Sequence, residues 1–308
     1  MSLKHIKFEL SEEQLKRRDE EAVFYAKEPE IKQFLIDTGC PYETYVNHLP
    51  KFKRWLKAKR EAYGLSKEEL EKDVRKGEYL GLEYDENLDM IFEVVMRVEL
   101  AKDIEEEQLF LKRYQVFPLP ESLRKATFQS IDLQKEKQNP AYIKVLVELA
   151  KFVEDDELGY FLYGNLGVGK SYLAACVSNQ MAKEGKRVAY VHVPSLFNHL
   201  KQQFGNNKQQ EQTLDTLRKA SLLVLDDLGA EPITPWGRDE VLLSILNDRL
   251  ENKRKTIITS NYKPEMLKDL YRVDTRGVSD EIRASRLVDR ILSLTKSYEI
   301  AGKNRRHQ

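Results

Sequence analysis

The sequence predicts an α/β fold: a P-loop parallel sheet flanked by helices, preceded by a small mainly helical N-terminal domain. Three observations predict it. Gly164-Asn165-Leu166-Gly167-Val168-Gly169-Lys170-Ser171 matches G-x-x-x-x-G-K-[ST] without substitution, between an apolar run at 160–163 and helix-forming residues from Tyr172 onward. Residues 221–229 form an apolar strand that ends in paired carboxylates, Asp226 and Asp227, as a central parallel strand does when it delivers acid to its C-terminal edge. The first 118 residues hold helical periodicity with some strand, and no glycine-rich loop.

Composition bounds the rest. The chain has 308 residues, enough for two domains, and is 41% hydrophobic. Its 51 basic and 51 acidic residues cancel, so any nucleic-acid site must be a local patch rather than a bulk field. No apolar run approaches a membrane span, and residues 1–10 lack the apolar core of a secretory signal. Cys40 and Cys176 have no ligand-like spacing. Free thiols in a reducing cytoplasm are expected.

In chain order, residues 10–38 read as helix, with Ser11 and Gln14 forming a capping box. Tyr45, Leu49, Phe52, Trp55 and Leu56 recur at spacings of three and four among Lys51, Lys53, Arg54, Lys57, Lys59 and Arg60. Two readings stay open there: an amphipathic helix with a solvated basic face, or a docking surface. A second capping box starts at Ser66, and a helix runs on to Arg75. Residues 90–96 read as strand and 103–114 as helix. Pro118 and Pro120 mark a linker, giving domains at 1–118 and 128–308 with 119–127 between them. The N-terminal chemistry is interaction rather than catalysis.

Residues 126–132, with Phe128, either face a nucleotide base or pack as a linker. A helix over 140–153 leads to the strand before the glycine loop. In that loop, Gly164, Asn165, Leu166, Gly167, Val168 and Gly169 present backbone N–H groups to anionic oxygens. Lys170 reaches the β- and γ-phosphates, the Ser171 hydroxyl sits on Mg²⁺, and Tyr172 follows in the helix, whose positive end adds to the cradle. Residues 186–193 form the next strand, 194–204 a helix, 205–212 a loop and 213–219 a short helix. Asp226 would hold Mg²⁺, and Asp227 would polarise the attacking water. The strand at 255–261 ends in Asn261, which either orients that water or closes a turn. A helix over 279–292 carries Arg283, Arg286 and Arg290; these either pair with Glu281 and Asp289 or supply an arginine finger to a neighbour.

Together, Gly164–Ser171, the strand with Asp226-Asp227, Thr259-Ser260-Asn261 and Ser285–Arg290 resemble the DnaC/IstB branch of AAA+ ATPases, and within it the DnaI-type bacterial replicative helicase loaders. The similarity covers about 125–308. It implies an ATP switch that binds single-stranded DNA and delivers the hexameric replicative helicase, gripped by residues 1–118. It makes Lys170 and Ser171 Walker A, Asp226 and Asp227 Walker B, and Asn261 sensor 1. Arg290 is the first arginine-finger candidate, through which the chain would self-associate, and Arg286 the second. The family's G-x-S-x-R pattern falls on Gly302–Arg306, making Arg306 sensor 2, with Asn304 in place of Ser. Many AAA+ proteins carry Glu at Asp227, so the shorter Asp implies slow hydrolysis, modulated by DNA or a partner. Phe197, Lys201 and Phe204 fall where relatives contact single-stranded DNA. Loaders of this type can bind zinc near the N-terminus. Here Cys40, His5 and His48 are too few for four such ligands, so ATP or ADP and Mg²⁺ are the expected cofactors, without zinc. The core motifs also suit an IstB-like transposition ATPase. A small-molecule P-loop kinase would need an acceptor pocket and lid, and a non-hydrolysing adaptor would show no turnover.

Overall fold

The computed structural model describes residues 11–136, 139–273, 280–302 and 304–305, and the chain divides into two units that meet between Gln108 and Leu109. In the first unit, α1 (Glu12–Tyr25) opens on the expected capping box: the Ser11 hydroxyl accepts the Gln14 N–H, and the Gln14 amide oxygen accepts the Ser11 N–H. The single helix expected over 10–38 is two, because α2 (Pro29–Thr38) begins at a proline that cannot continue a helix. After the short α3 (Tyr42–Asn47), α4 (Leu49–Tyr63) buries Phe52, Trp55 and Leu56 against Tyr45 and Ile31. Each such side chain contributes about 2 kcal/mol of burial. Outside, Lys53 pairs with Glu21, and Arg60 with Glu28 and Glu30. The aromatic stretch is therefore core with a solvated basic face.

Helix α5 (Lys67–Lys72) carries the second capping box and ends short of the expected Arg75. The expected strand is β2 (Met90–Arg97), paired antiparallel with β1 (Glu78–Asp85). Strand β1 was not expected, because Gly77 and Gly81 look like interruptions. Met96 lies over Gly81, where a Cβ would come within 2.3 Å of its sulfur. Helix α6 (Glu99–Leu111) follows.

The second unit begins before Pro118. Gln115 N–H donates to the Val188 carbonyl (2.8 Å). Tyr114, Leu119 and Ala126 are buried in the same core as the sheet, and the Asn179 amide donates to the Leu123 and Ala126 carbonyls. The segment 119–127 is thereby packed rather than slack. The elements that follow are α7 (Leu133–Glu136), α8 (Pro140–Lys151), β3 (Gly159–Tyr163), α9 (Lys170–Lys183), β4 (Val188–His192), α10 (Val193–Gln202), α11 (Asn207–Lys219) and β5 (Leu222–Leu228). A π-helical stretch, Gly237–Leu242, runs into α12 (Leu243–Glu251). Then come β6 (Lys255–Ser260), α13 (Pro264–Leu270), α14 (Glu281–Leu294) and β7 (Lys296–Glu299).

The five strands are parallel, in the order β4-β5-β6-β3-β7. Successive residues alternate between two helical layers: Leu223 and Leu225 join one core, Leu222 and Val224 the other, and Phe161 opposes Tyr160 and Leu162 in the same way. A sheet covered on both faces explains the unbroken apolar runs in its strands. The α/β expectation holds. The loop expected over 205–212 is instead largely the start of α11, because the Asn206 side chain caps that helix by accepting the Gln209 N–H.

Arg249 on α12 is fully buried. Its guanidinium donates to the Leu217, Arg218, Ala220 and Lys255 carbonyls and to the Thr256 hydroxyl, tying α12 to the end of α11 and to β6. Arg249→Met is expected to lower stability by about 3 kcal/mol, read from urea unfolding midpoints, because it takes a donor from the buried Leu217 and Ala220 carbonyls and from the buried Thr256 hydroxyl.

Candidate functional site

With every strand parallel, Tyr163, His192, Asp226 and Ser260 end on one edge of the sheet, where open α/β sheets bind ligands. The glycine loop leaves β3 there. Gly164 has φ +145°, and a Cβ at that position would come 2.4 Å from the Ile300 carbonyl. Gly169 has φ +102° and caps α9, so Lys170 and Ser171 open that helix. A helix N-terminus with free N–H groups favours an anion. Lys170 is only 5% exposed. Its Nζ donates to the Gly164 carbonyl (2.8 Å), the Asn165 carbonyl (2.9 Å) and Asn261 Oδ1 (2.8 Å). The P-loop lysine and the amide beyond β6 are thus in direct contact.

Asp226 is 7% exposed, and its carboxylate accepts a hydrogen bond from the Thr259 hydroxyl (2.7 Å). Burial pushes its carboxyl above the ordinary range, more than the Thr259 bond lowers it. Asp227 has its N–H on the same Thr259 hydroxyl (2.9 Å). Thr259 therefore joins both acids to β6. The β5–β6 register shifts between Leu225 and Leu228, and Asp227 takes φ +59°. A bulge with a left-handed aspartate changes the direction in which the strand end presents Asp227. On the neighbouring strand end, His192 Nε2 lies 3.8 Å from Asp227 Oδ2, and its Nδ1 meets the Ser195 hydroxyl at 2.9 Å. Next, buried Glu231 accepts the Gly229 N–H (2.8 Å) and the Tyr271 hydroxyl. Sequence reasoning named neither His192, Glu231, Tyr271 nor the bridging role of Thr259. Their positions come from strand register, which no motif records.

A buried anchor cation, a helix N-terminus, a hydroxyl and a buried carboxylate are the donor set that a Mg²⁺–triphosphate needs, so the residues fit that group. Among the described residues, no cluster of three His, Cys, Asp or Glu side chains could hold a metal ion by itself. Nor is any described helix long and apolar enough to cross a membrane.

The remaining expected residues divide. The Phe128 turn comes to the start of α9: Ser130 Oγ meets the Tyr172 hydroxyl at 2.6 Å, and Phe128 is half-buried beside them. Val168 is buried and Leu166 exposed. Arg286 and Arg290 lie on the exposed face of α14; Arg290 Nε donates to Asn247 (2.6 Å), while Glu281 pairs with Lys268. Neither arginine bonds the glycine loop among the described residues. Arg306 lies outside the described residues. Its neighbour Arg305 donates its N–H to the Gly167 carbonyl (2.9 Å), pairs with Glu136 and covers the Tyr142 ring. Phe197 requires a correction: it is 1% exposed and packed in the core against Trp236, so it offers no face to a base. Lys201 and Phe204 are exposed.

Asp226→Asn is expected to remove turnover yet raise stability by about 1 kcal/mol at neutral pH. The sign follows from linkage. A carboxyl whose folded pKa is raised favours the fold below its unfolded pKa, and this contribution is lost as pH rises through the folded value. The variant's advantage in denaturant midpoint should therefore shrink as pH is lowered.

The model of the IstB-like ATP binding protein family matches residues 68–308. Among curated proteins, the replicative helicase loader DnaI of Bacillus subtilis is 32% identical over 221 residues, 70% of this chain and 68% of that protein. A putative insertion sequence ATP-binding protein, y4pL of Sinorhizobium fredii, is 32% identical over 146 residues, 47% of this chain and 56% of that protein. A crystal structure of DnaI superposes with a TM-score of 0.52 at 31% identity, covering 66% of this chain and all of that one.

Proposed function

The chain belongs to the IstB-like ATP-binding protein family, and from that premise we propose that it is an ATP-hydrolysing loader of the replicative DNA helicase, acting in the cytoplasm on single-stranded DNA. The observation that carries the hydrolytic half is the meeting of Lys170 with Asn261 and of Thr259 with Asp226. These contacts draw the loop after β3 and the ends of β5 and β6 into one site. Bound ATP with Mg²⁺ would supply a phosphoanhydride bond and a cation to offset its charge. Lys170 and the α9 N-terminus hold the phosphate charge. Ser171 and Asp226 hold the metal. Asp227 takes a proton from water, and Asn261 orients that water. Asp227 reaches less far than Glu would, so basal turnover is slow.

The loading half is supported by the similarity to DnaI and by a separate N-terminal unit with no catalytic loop. We assign the N-terminal unit, which ends at Gln108 rather than at the expected 118, to the helicase, Lys201 and Phe204 to DNA, and Arg290, with Arg286 second, to a neighbouring copy. The test is ATPase activity of the full chain alone, with single-stranded DNA, and with the hexameric replicative helicase, alongside a pull-down of that helicase. Binding at micromolar concentration with changed turnover is expected. DNA-stimulated turnover without helicase binding would instead point to the role of the insertion-sequence relatives.

A further inference from the structure

Resting on the reading that Asp227 takes a proton from water, we propose that Glu231 and Tyr271 are positioning residues for ATP hydrolysis: together they hold the turn from which Asp227 presents its carboxylate. Asp227 stands in a conformation that an L-residue resists. Its φ is +59°, and Gly229 follows at +93°. Such a backbone persists only where its surroundings over-determine it. Two of the restraints come from β6: the Thr259 hydroxyl accepts the Asp227 N–H (2.9 Å), and the Ser260 hydroxyl donates to the Leu228 carbonyl (2.7 Å). A third is internal, the Ala230 N–H on the Asp227 carbonyl (3.2 Å). The fourth is Glu231, whose carboxylate accepts the Gly229 N–H (2.8 Å) and so closes the far end of the turn.

Glu231 is the restraint that stability alone does not explain. It is 5% exposed, and burial raises its carboxyl above the ordinary range, more than its hydrogen bonds and the nearby His192 lower it. Among the described residues no lysine or arginine pairs with it. A buried carboxylate without such a partner costs more than an amide or an apolar side chain of similar size. Both of its oxygens are committed to fixed donors, one to the Gly229 N–H and the other to the Tyr271 hydroxyl. A sequence keeps a costly buried group of this kind where function needs the geometry it enforces, and here that geometry is a turn beginning at the hydrolytic acid.

Tyr271 makes the arrangement rigid. It is 1% exposed and stands at the C-cap of α13. Its carbonyl accepts Arg238 Nη1 (3.1 Å). Arg238, 1% exposed on the π-helical stretch, also bonds Asp239 (2.7 Å) and Asp280. Helical turns of that kind recur at functional sites. The tyrosine is thus fixed at its backbone and delivers its hydroxyl to Glu231. A buried chain of polar bonds runs from the Gly229 N–H through Glu231, Tyr271 and Arg238 to Asp280, the N-cap of α14, and the turn behind Asp227 is one end of it.

Steady-state ATPase kinetics and the thermal shift given by Mg²⁺–ATP, both on the full chain at one fixed concentration, test this. Tyr271→Phe keeps the buried ring and removes the hydroxyl; Glu231→Ala removes the carboxylate. Each should lower kcat about tenfold, because a displaced reacting group costs rate steeply. KM and the ATP thermal shift should stay at wild-type values, since Lys170, Ser171 and Asp226 are untouched. Glu231→Gln should recover most of kcat: its amide oxygen can accept the Gly229 N–H, and its amide N–H can donate to the Tyr271 hydroxyl. Should Glu231→Ala fail to fold, Tyr271→Phe and Glu231→Gln carry the comparison. Wild-type kcat in Tyr271→Phe, a loss of ATP binding in step with kcat, or a Glu231→Gln chain as slow as Tyr271→Phe would overturn the positioning role and leave the hydrolytic reading standing. A wild-type chain that hydrolyses no ATP would overturn both.

Discussion

Lys170→Ala is expected to cut ATP turnover by about a hundred- to a thousandfold and to abolish stabilisation by nucleotide. The lysine is a nearly buried cation held by the Gly164 and Asn165 carbonyls and by Asn261. Those partners position its ammonium at the mouth of the glycine loop before any phosphate arrives. Alanine removes the lysine cation of the cradle and leaves the α9 N–H groups, which are too weak alone to offset a triphosphate. The fold should survive, because the strand edge is also tied by Thr259 to Asp226 and by the Ser260 hydroxyl to the Leu228 carbonyl. Thermal unfolding with and without Mg²⁺–ATP separates the two effects. At a hundredfold excess over Kd the wild-type protein should gain about 2.7 kcal/mol, and the variant nothing. A variant that still shifts with ATP would show that Lys170 does not carry the phosphate contact.

What was legible in the sequence is what the chemistry restricts to particular residue types. A phosphate cradle needs glycines and a lysine, so Gly164–Ser171 announced itself. Asp226 stood out because a buried apolar strand seldom ends in a carboxylate unless that charge meets a cation. The residues that orient these groups were not legible. Thr259 bridges the two acids only because β5 bulges by one residue against β6, and His192 approaches Asp227 only because β4 lies beside β5. Neighbours in a parallel sheet are far apart in sequence, and their register leaves no local trace. The error at Phe197 has a different origin. The resemblance assigned the helix over 194–204 to DNA as a whole and did not separate its exposed face from its buried one. The helix ends at Gln202, so Phe204 leaves that face for the surface while Phe197 stays in the core. Helices α12 and α13 and the edge strand β7 lacked a strong enough pattern to be expected.

Arg290→Ala is the counterpart of Lys170→Ala, since it should spare nucleotide binding and lose turnover. On its own chain, Arg290 is on the exposed face of α14 and its Nε is spent on Asn247 of α12. Among the described residues it does not bond the glycine loop it is meant to serve. An arginine finger delivered by a neighbour has this placement, and such fingers contribute roughly a thousandfold or more to turnover. The helix that carries it is well held. Buried Arg238 bonds the Tyr271 carbonyl, Asp239 and Asp280, and Asp280 stands at the N-cap of α14. Replacing the exposed arginine should therefore leave α14 in place. Wild-type turnover per chain should rise with protein concentration, and that of Arg290→Ala should stay at the monomer's basal level while its thermal shift with ATP is retained. Mixing supplies the decisive comparison. A Lys170→Ala chain has an intact Arg290 to lend, and an Arg290→Ala chain has an intact cradle to receive it. If the finger acts between copies, two inactive variants should recover turnover when combined. If the mixture stays inactive while both variants self-associate, or if Arg290→Ala alone hydrolyses ATP normally at high concentration, Arg290 is not the finger, and Arg286, one turn earlier on the same face, becomes the residue to replace.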